Sequence, residues 1–282
     1  MQYLTPSYLR QVLDGHGLRP RQSLGQNFLV DPNIVRIITG QARPADVAVD
    51  IGAGPGILTL PLSDLYDRVL AVEIDERFKP VLEDILCGQR NVEVVFADAR
   101  TLNWRETLGE REVSVFGNLP YGAAAPILSN FLESGSRWVS GIFMLQREVA
   151  KRLTAGPGSK DYGILTLAVG YYAHAEIVHR VGPRAFYPSP DVDSCVVRLL
   201  PRQLPPVAFD VFIRLVRGAF RLRRKTVRNS LSRSGEIELE AGEAEDLLCR
   251  SGIDPGRRGE SLSMVEYVTM ASNYRERQDS AT

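Results

Sequence analysis

The chain has 282 residues, 44% hydrophobic and 24% charged, a globular composition that excludes disordered and fibrous classes and suits one large domain or a large one with a small one. No apolar run approaches the roughly 18 residues of a membrane span, and three widely spaced cysteines (Cys87, Cys195, Cys249) exclude a disulfide framework and a thiolate zinc site. The 34 basic and 34 acidic residues cancel overall but not locally: residues 211–235 hold eight bases and no acid, and residues 236–246 six acids and no base.

In chain order, residues 1–19 lack the apolar stretch of a secretory signal, so a soluble cytoplasmic protein is expected. Asp31-Pro32 ahead of Ile34, Val35, Ile37 and Ile38 predicts a helix start, with a capping acid, proline at the first position and an apolar face. Val47–Ile51 predicts a strand running into Gly52-Ala53-Gly54-Pro55-Gly56, with a helix over 57–65 behind it. Strands are then predicted over 68–74, 92–97, 113–116 and 142–145, and helices over 76–86, 126–132 and 147–153. This alternation implies parallel βαβ units in an open α/β sheet. Residues 175–181 and 194–200 read as further strands; His174 and His179 in that region give no credible metal site, and no metal is expected. Pro201-Arg202-Gln203-Leu204-Pro205-Pro206 marks a boundary. Beyond it the pattern is helical, giving an expected division into a catalytic domain over 1–204 and a small helical domain over 205–282.

In open α/β sheets, ligands bind where strand order reverses, outside the carboxyl ends of the strands. The loop after the first βα strand is G-x-G-x-G behind an acid, Asp50, not the G-x-G-x-x-G of dinucleotide folds. Asp50 repels phosphate and attracts a cation, which suits a ligand with an amino-acid moiety. Glu73 ends the second strand, where an acid holds ribose hydroxyls, and Asp98 ends the third, where an acceptor can take an adenine amine. S-adenosylmethionine satisfies all three positions.

The fourth strand runs into Asn118-Leu119-Pro120-Tyr121. An exocyclic adenine amine is a poor nucleophile because its lone pair is delocalised into the ring. Methylating it requires acceptors that hold its hydrogens, and an asparagine oxygen with a neighbouring main-chain carbonyl can supply them. Proline fixes the turn that presents the carbonyl, and the tyrosine ring offers a face for an extruded base. Phe186, in the stiff stretch Phe186-Tyr187-Pro188-Ser189-Pro190, is a candidate second face, while Tyr187 reads equally well as core.

On these residues the chain resembles the ribosomal RNA adenine N6-dimethyltransferase family, most closely its bacterial small-subunit branch, linked to kasugamycin sensitivity. The resemblance extends to Leu24-Gly25-Gln26-Asn27-Phe28-Leu29, Gly156 to Gly163, Phe186 to Ser194, Arg223 to Leu231 and Arg258 to Ser263, so it covers nearly the whole chain. It implies a class I methyltransferase fold: a Rossmann-like, seven-stranded, mostly parallel sheet followed by a small helical domain. It implies transfer of two methyl groups from S-adenosylmethionine to each of two adjacent adenosines near the 3′ end of small-subunit ribosomal RNA. It places cofactor contacts at Asn27, Leu29, Gly52, Glu73, Asp98 and Asn118, to which the neighbours Gln26, Ala53, Gly54, Gly56, Ile74 and Ala99 are added, and catalysis at Asn118, Leu119, Pro120, Tyr121 and Phe186. The partner implied is small-subunit RNA in a pre-ribosomal particle, met by a monomer without membrane contact. One departure is visible: small residues, Gly122-Ala123-Ala124-Ala125, follow the tetrad. They leave room for an amine already carrying one methyl, so Ala124→Leu is expected to stall the second transfer.

Finally, Arg214, Arg217, Arg221, Arg224, Lys225 and Arg228 fall within about 100° of arc if the helix is continuous, although Gly218 or Arg223-Arg224 is a candidate break. A cationic stripe without interspersed acids suits RNA phosphates, with Arg221, Arg223, Arg224, Lys225 and Arg228 as the contacts. Rival readings are a large-subunit methyltransferase of the antibiotic-resistance type, a nicotinamide oxidoreductase, which the glycine spacing disfavours, and a non-catalytic RNA-binding factor, which the intact Asn118 and Tyr121 disfavour.

Overall fold

The computed structural model describes residues 5–280. Helix α1 (Pro6–Gly15) is capped by Thr5, whose hydroxyl accepts the Tyr8 N–H, and buries Leu9 and Leu13 four residues apart. Strand β1 (Phe28–Leu29) leads into α2 (Pro32–Thr39), which starts as the sequence predicts: the Asp31 carboxylate accepts the Asn33 N–H at 2.8 Å and Pro32 follows it. Then β2 (Val47–Ile51), α3 (Thr59–Ser63), β3 (Val69–Glu73), α4 (Lys79–Ile85), β4 (Val92–Phe96), α5 (Trp104–Leu108), β5 (Val113–Asn118), α6 (Ala124–Glu133), β6 (Trp138–Gln146) and α7 (Arg147–Leu153) alternate along the chain. After α8 (Ile164–Tyr172) come β7 (Ala173–Val181), β8 (Phe186–Tyr187) and β9 (Ser194–Pro201).

Seven of these strands form one sheet in the order β4-β3-β2-β5-β6-β9-β7, parallel from β4 through β6, with β9 antiparallel to β6. Every residue of β2 and β3 is buried, the pattern of parallel strands covered on both faces. Strand order reverses between β2 and β5. The loops leaving those two neighbours diverge there and open a crevice at their carboxyl ends. The one pairing absent from the sequence reading is a small antiparallel sheet, in which Phe28 faces Tyr187 and Leu29 faces Phe186.

The chain divides into two compact units, but not at a single point near 204. One comprises residues up to Ala150 with Ala175–Pro201; the other comprises Lys151–His174 with the chain from Arg202 onward. The second unit contains α8, α9 (Phe209–Phe220), α10 (Val227–Leu231), α11 (Ala241–Arg250) and α12 (Met264–Ser280). Its core explains why the segment before β7 belongs with it. The Tyr171 ring packs on Phe209 and Phe212 at 5.1 and 5.2 Å, and its hydroxyl donates to the Val207 carbonyl at 2.6 Å. The Tyr162 hydroxyl donates to the Leu262 carbonyl at 2.8 Å. Burying side chains of this kind is worth about 1.5–3 kcal/mol each.

In this unit the basic stripe is interrupted. Helix α9 ends at Phe220, residues 221–226 form a turn, and Arg228 lies on the separate α10. Ser230 effects the break: its hydroxyl donates to the Gly218 carbonyl at 2.8 Å and accepts the Leu222 N–H at 3.1 Å, satisfying backbone groups that a continuing helix would have paired.

Candidate active site

The glycine loop and Glu73 form one hydrogen-bonded unit. Gly52 and Gly54 adopt φ of 76° and 53°, which side chains with a Cβ rarely adopt, and a Cβ on Gly54 would meet the Phe28 ring at 3.0 Å. The turn so formed aims the Gly54 N–H at Glu73 Oε2, 2.7 Å away, while Oε1 accepts from the N–H groups of Ile74 and Asp75 at 2.9 and 2.8 Å. Burial pushes the Glu73 carboxyl up, and these backbone donors hold it back. Two carboxylate oxygens offer about four acceptor positions. Three are used, so one remains for a ligand hydroxyl.

Asp50 lies two residues before Gly52 and is fully buried. The Thr59 hydroxyl donates to its Oδ2 at 2.6 Å, but Oδ1 is buried without a partner. Asp50 lines a cavity of about 20 Å³ together with Leu29, Gly52, Ala53 and Asn118. A buried carboxylate oxygen without a donor favours a cationic group beside it. Burial pushes the Asp50 carboxyl up to about 7, helped by the Glu73 charge and opposed by Thr59. Its folded pKa thus exceeds its unfolded value of 3.8, so the stability it contributes is present below that value and lost as pH rises through about 7. The thermal midpoint of the ligand-free protein is expected to fall across this interval, and Asp50→Asn to remove most of that fall.

Beyond the loop lies an open cleft of about 730 Å³ whose lining includes Gln26, Gly52, Ile74, Asp98, Ala99 and Tyr121. Ile74 exposes an apolar side chain there, a flat surface for a base, and Ala99 is buried beneath. Gln26 is held from both ends: its carbonyl accepts the Arg21 N–H and its amide donates to Asp75 Oδ2 at 2.9 Å. Arg77 holds the Asp75 carboxyl at about 2, chiefly through hydrogen bonds. Asp98 is held by a residue that the sequence reading passed over. The Arg100 guanidinium grips both carboxylate oxygens and lowers the Asp98 pKa. The signal was available, since an aspartate followed two residues later by arginine is an Asx-turn position.

Asn118 ends β5 with its amide nitrogen donating to the Asn27 carbonyl at 2.7 Å. A carbonyl can only accept, so this contact fixes the amide orientation and leaves Oδ1 as an unused acceptor. The Leu119 carbonyl likewise accepts nothing among the described residues, whereas the Pro120 carbonyl takes the N–H groups of Ala123 and Ala124 and closes the turn. Gly25 packs on that turn: a Cβ there would stand 3.2 Å from the Pro120 side chain. Tyr121 is half-buried on the cleft wall, its hydroxyl 3.1 Å from the Ser194 hydroxyl, and burial raises its pKa, which keeps the ring neutral.

Three sequence expectations change. Phe186 does not line the cleft; it is buried, paired with Leu29 and packed among Ile34, Val181 and Ala185. The cleft wall on that side is instead Pro188, Ser189, Pro190, Asp191 and Val192. Ala124 faces the core at 2% exposure, and Gly122 and Ala123 line the cleft in its place. Ala124→Leu would therefore overpack α6 and leave the site unchanged. Gly56 contacts no cleft; its missing Cβ makes room for Leu82 and Ile85 of α4. Tyr187 is partly buried, with the Arg10 guanidinium 5.2 Å over its ring.

The cations of the helical unit are not all available. The Arg214 side chain donates to the Glu236 carbonyl, Arg228 pairs with Glu245 at 2.9 Å and Arg223 with Glu260 at 3.5 Å. Arg217, Arg221, Arg224 and Lys225 are exposed and have no acidic partner among the described residues. No group of three or more His, Cys, Asp or Glu among the described residues is arranged to hold a metal, and no described helix is long and apolar enough to cross a membrane.

Similarities to known proteins bear on this arrangement. The chain is 42% identical to the ribosomal RNA small subunit methyltransferase A of Pelotomaculum thermopropionicum, over 96% of each chain. It superposes on a dimethyladenosine transferase from Plasmodium falciparum with a TM-score of 0.76 at 22% identity, covering 89% of this chain and 98% of that one, which establishes the fold. It superposes on the 23S rRNA methyltransferase ErmE with a TM-score of 0.67 at 27% identity, covering 88% and 99%. The family model described as ribosomal RNA adenine dimethylase matches residues 17–272. The chain therefore belongs to the ribosomal RNA adenine dimethylase family and is an S-adenosylmethionine-dependent ribosomal RNA adenine dimethyltransferase with a class I methyltransferase fold.

Proposed function

We propose that this enzyme dimethylates two adjacent adenosines near the 3′ end of small-subunit ribosomal RNA, acting in the cytoplasm as a monomer on a pre-ribosomal particle. One observation carries the chemistry: the Asn27 carbonyl pins the Asn118 amide so that Oδ1 is left to accept from the target amine. The Leu119 carbonyl is the second acceptor. Together they hold the two amine hydrogens and turn the nitrogen lone pair toward the methyl donor, and they stabilise the positive charge that grows on nitrogen as the bond forms. Tyr121 supplies the stacking face. Bound S-adenosylmethionine supplies an electrophilic methyl on sulfonium. Asp50 takes its ammonium, Glu73 a ribose hydroxyl and Asp98 its adenine amine, with Gln26, Asn27, Leu29 and the glycine loop enclosing it and Ile74 and Ala99 flanking the base. The proton leaving the methylated nitrogen passes to solvent, so no dedicated base is required. Primer extension on unmodified small and large subunits, each incubated with enzyme and donor, tests the assignment. Stops at two adjacent adenosines near the 3′ end support it, and stops confined to large-subunit RNA would replace it with the reading that ErmE represents.

The cleft side chain beside Tyr121 that decides the second transfer is Ala123. Ala123→Leu is expected to preserve the first methylation within about threefold and to stall the second, because an amine bearing one methyl must rotate to present its remaining hydrogen. Mass spectrometry of digested RNA reads this directly: monomethyladenosine accumulates, and a product that is wholly dimethylated counts against the assignment.

RNA docking falls to the exposed turn cations Arg221, Arg224 and Lys225, with Arg217 beside them on α9. Phosphate contacts position an RNA with little reading of sequence. Arg224→Ala and Lys225→Ala should each reduce the salt-dependence slope of RNA binding by roughly 1. Arg223→Ala and Arg228→Ala should change it less, because Glu260 and Glu245 already neutralise those charges. Equal slopes in all four variants would move the docking surface elsewhere.

A further inference from the structure

Among the described residues, the cleft that must admit a negatively charged nucleic acid is lined by one cation, Arg100, and its charge is paired with Asp98. Its backbone N–H and Nε both donate to Asp98 Oδ1 at 2.9 Å, while Nε and Nη2 reach Oδ2 at 3.0 and 2.6 Å. Three donors, with Nε shared between the two oxygens, thus engage both sides of the carboxylate. An adenine amine that reaches Asp98 is a further donor on the same two oxygens and competes with this grip. Release is cheap, because the Arg100 side chain is half-exposed and an exposed pair of this kind is worth little. Once released, the guanidinium stands at the mouth of the cleft with its planar fork unpaired, and the anion that an RNA offers such a fork is a phosphate.

We infer that Arg100 is handed over between ligands: the adenine of the methyl donor displaces it from Asp98, and the freed guanidinium takes a phosphate flanking the extruded adenosine. This rests on the adenine placement proposed above. The consequence is ordered, mutually supportive binding in which the donor prepares the cleft for RNA. Thermodynamic linkage requires RNA to tighten donor binding by the same factor. A sensible probe is S-adenosylhomocysteine, which keeps the adenosine and lacks the sulfonium charge, so that any coupling to RNA does not arise from a cation in the donor itself.

Calorimetry should be run on the full chain with S-adenosylhomocysteine and with an RNA hairpin carrying two adjacent unmodified adenosines in its loop. Arg100→Ala removes the competitor, so it should tighten S-adenosylhomocysteine about two- to fivefold in the absence of RNA. In the wild type, saturating S-adenosylhomocysteine should tighten the hairpin by a similar factor, and in Arg100→Ala that enhancement should vanish. Asp98→Ala should weaken S-adenosylhomocysteine while tightening the hairpin without ligand, since Arg100 is then unmasked. Weaker S-adenosylhomocysteine binding in Arg100→Ala, or an undiminished enhancement, overturns the hand-over while leaving the adenine placement intact. Unchanged S-adenosylhomocysteine affinity in Asp98→Ala overturns both, because nothing then competes for that carboxylate.

Discussion

Asn118→Ala is expected to lower the single-turnover methylation rate about 10²–10³-fold, the usual result of deleting one preorganised group that stabilises developing charge. The reason is specific to the geometry. In the proposed site Asn118 Oδ1 and the Leu119 carbonyl share one amine, and alanine leaves the nitrogen with one acceptor and its lone pair delocalised into the ring. RNA affinity should stay within about twofold, because phosphate contacts dominate it. Donor binding should weaken modestly, since the Asn27 carbonyl loses its 2.7 Å donor and the loop that encloses the donor loosens. Asn118→Asp is the informative companion. It keeps an oxygen acceptor but sets a carboxylate against the Asn27 carbonyl, so it should fall between the wild type and alanine. Rapid-quench measurement at saturating donor and RNA separates chemistry from binding, and a near wild-type rate for Asn118→Ala would remove this residue from the mechanism.

Glu73→Ala should be the most destructive substitution for the donor site, and for the fold around it. Its carboxylate is buried and accepts three backbone N–H groups, from Gly54, Ile74 and Asp75. Alanine leaves all three without an acceptor. Unmet buried donors cost about 1–3 kcal/mol each and relaxation shares the loss, so destabilisation of about 2–5 kcal/mol is expected from denaturant unfolding. Donor affinity should fall a further 10- to 100-fold, roughly 1.4–2.8 kcal/mol, from loss of the ribose acceptor. Glu73→Gln separates the two effects. It retains one oxygen for the ribose but turns an amide nitrogen toward a backbone N–H, so it should fold better than alanine and still bind the donor weakly. A Glu73→Ala protein with wild-type stability would contradict the hydrogen-bonded unit described above.

The residues of the proposed donor site were legible in the sequence as a cluster because they are short motifs at the ends of parallel strands. Asp50, Gly54, Glu73, Asp98 and Asn118 lie at or just past the carboxyl ends of β2, β3, β4 and β5, at intervals that alternation alone locates, and a parallel sheet brings those strand ends together whatever the loops do. Phe186 and Ala124 were misread for the opposite reason. Whether a side chain in an irregular stretch or at a helix start faces core or cleft has no periodic signature; here a two-residue pairing with Leu29 turns Phe186 inward. The basic stripe failed on a contact twelve residues distant in sequence. Nothing near Phe220 forces the helix to stop, but the Ser230 hydroxyl on the Gly218 carbonyl does. The acids that neutralise Arg223 and Arg228 are likewise remote, at Glu260 and Glu245.

The assignment of Lys151–His174 to the helical unit means that the backbone passes between the two units after Ala150, after His174 and after Pro201. During synthesis, Tyr162, Leu167 and Tyr171 therefore emerge before the residues that cover them. The sheet has all its strands once Pro201 has been added, whereas Tyr162 waits for Leu262 and Tyr171 for Val207, Phe209 and Phe212. A nascent chain arrested in this interval presents a greasy, aromatic helix to the cell, the kind of surface that holding chaperones and quality-control proteases engage. The helical unit, which carries the exposed cations of the Arg221–Lys225 turn, thus completes its core after the sheet has all its strands.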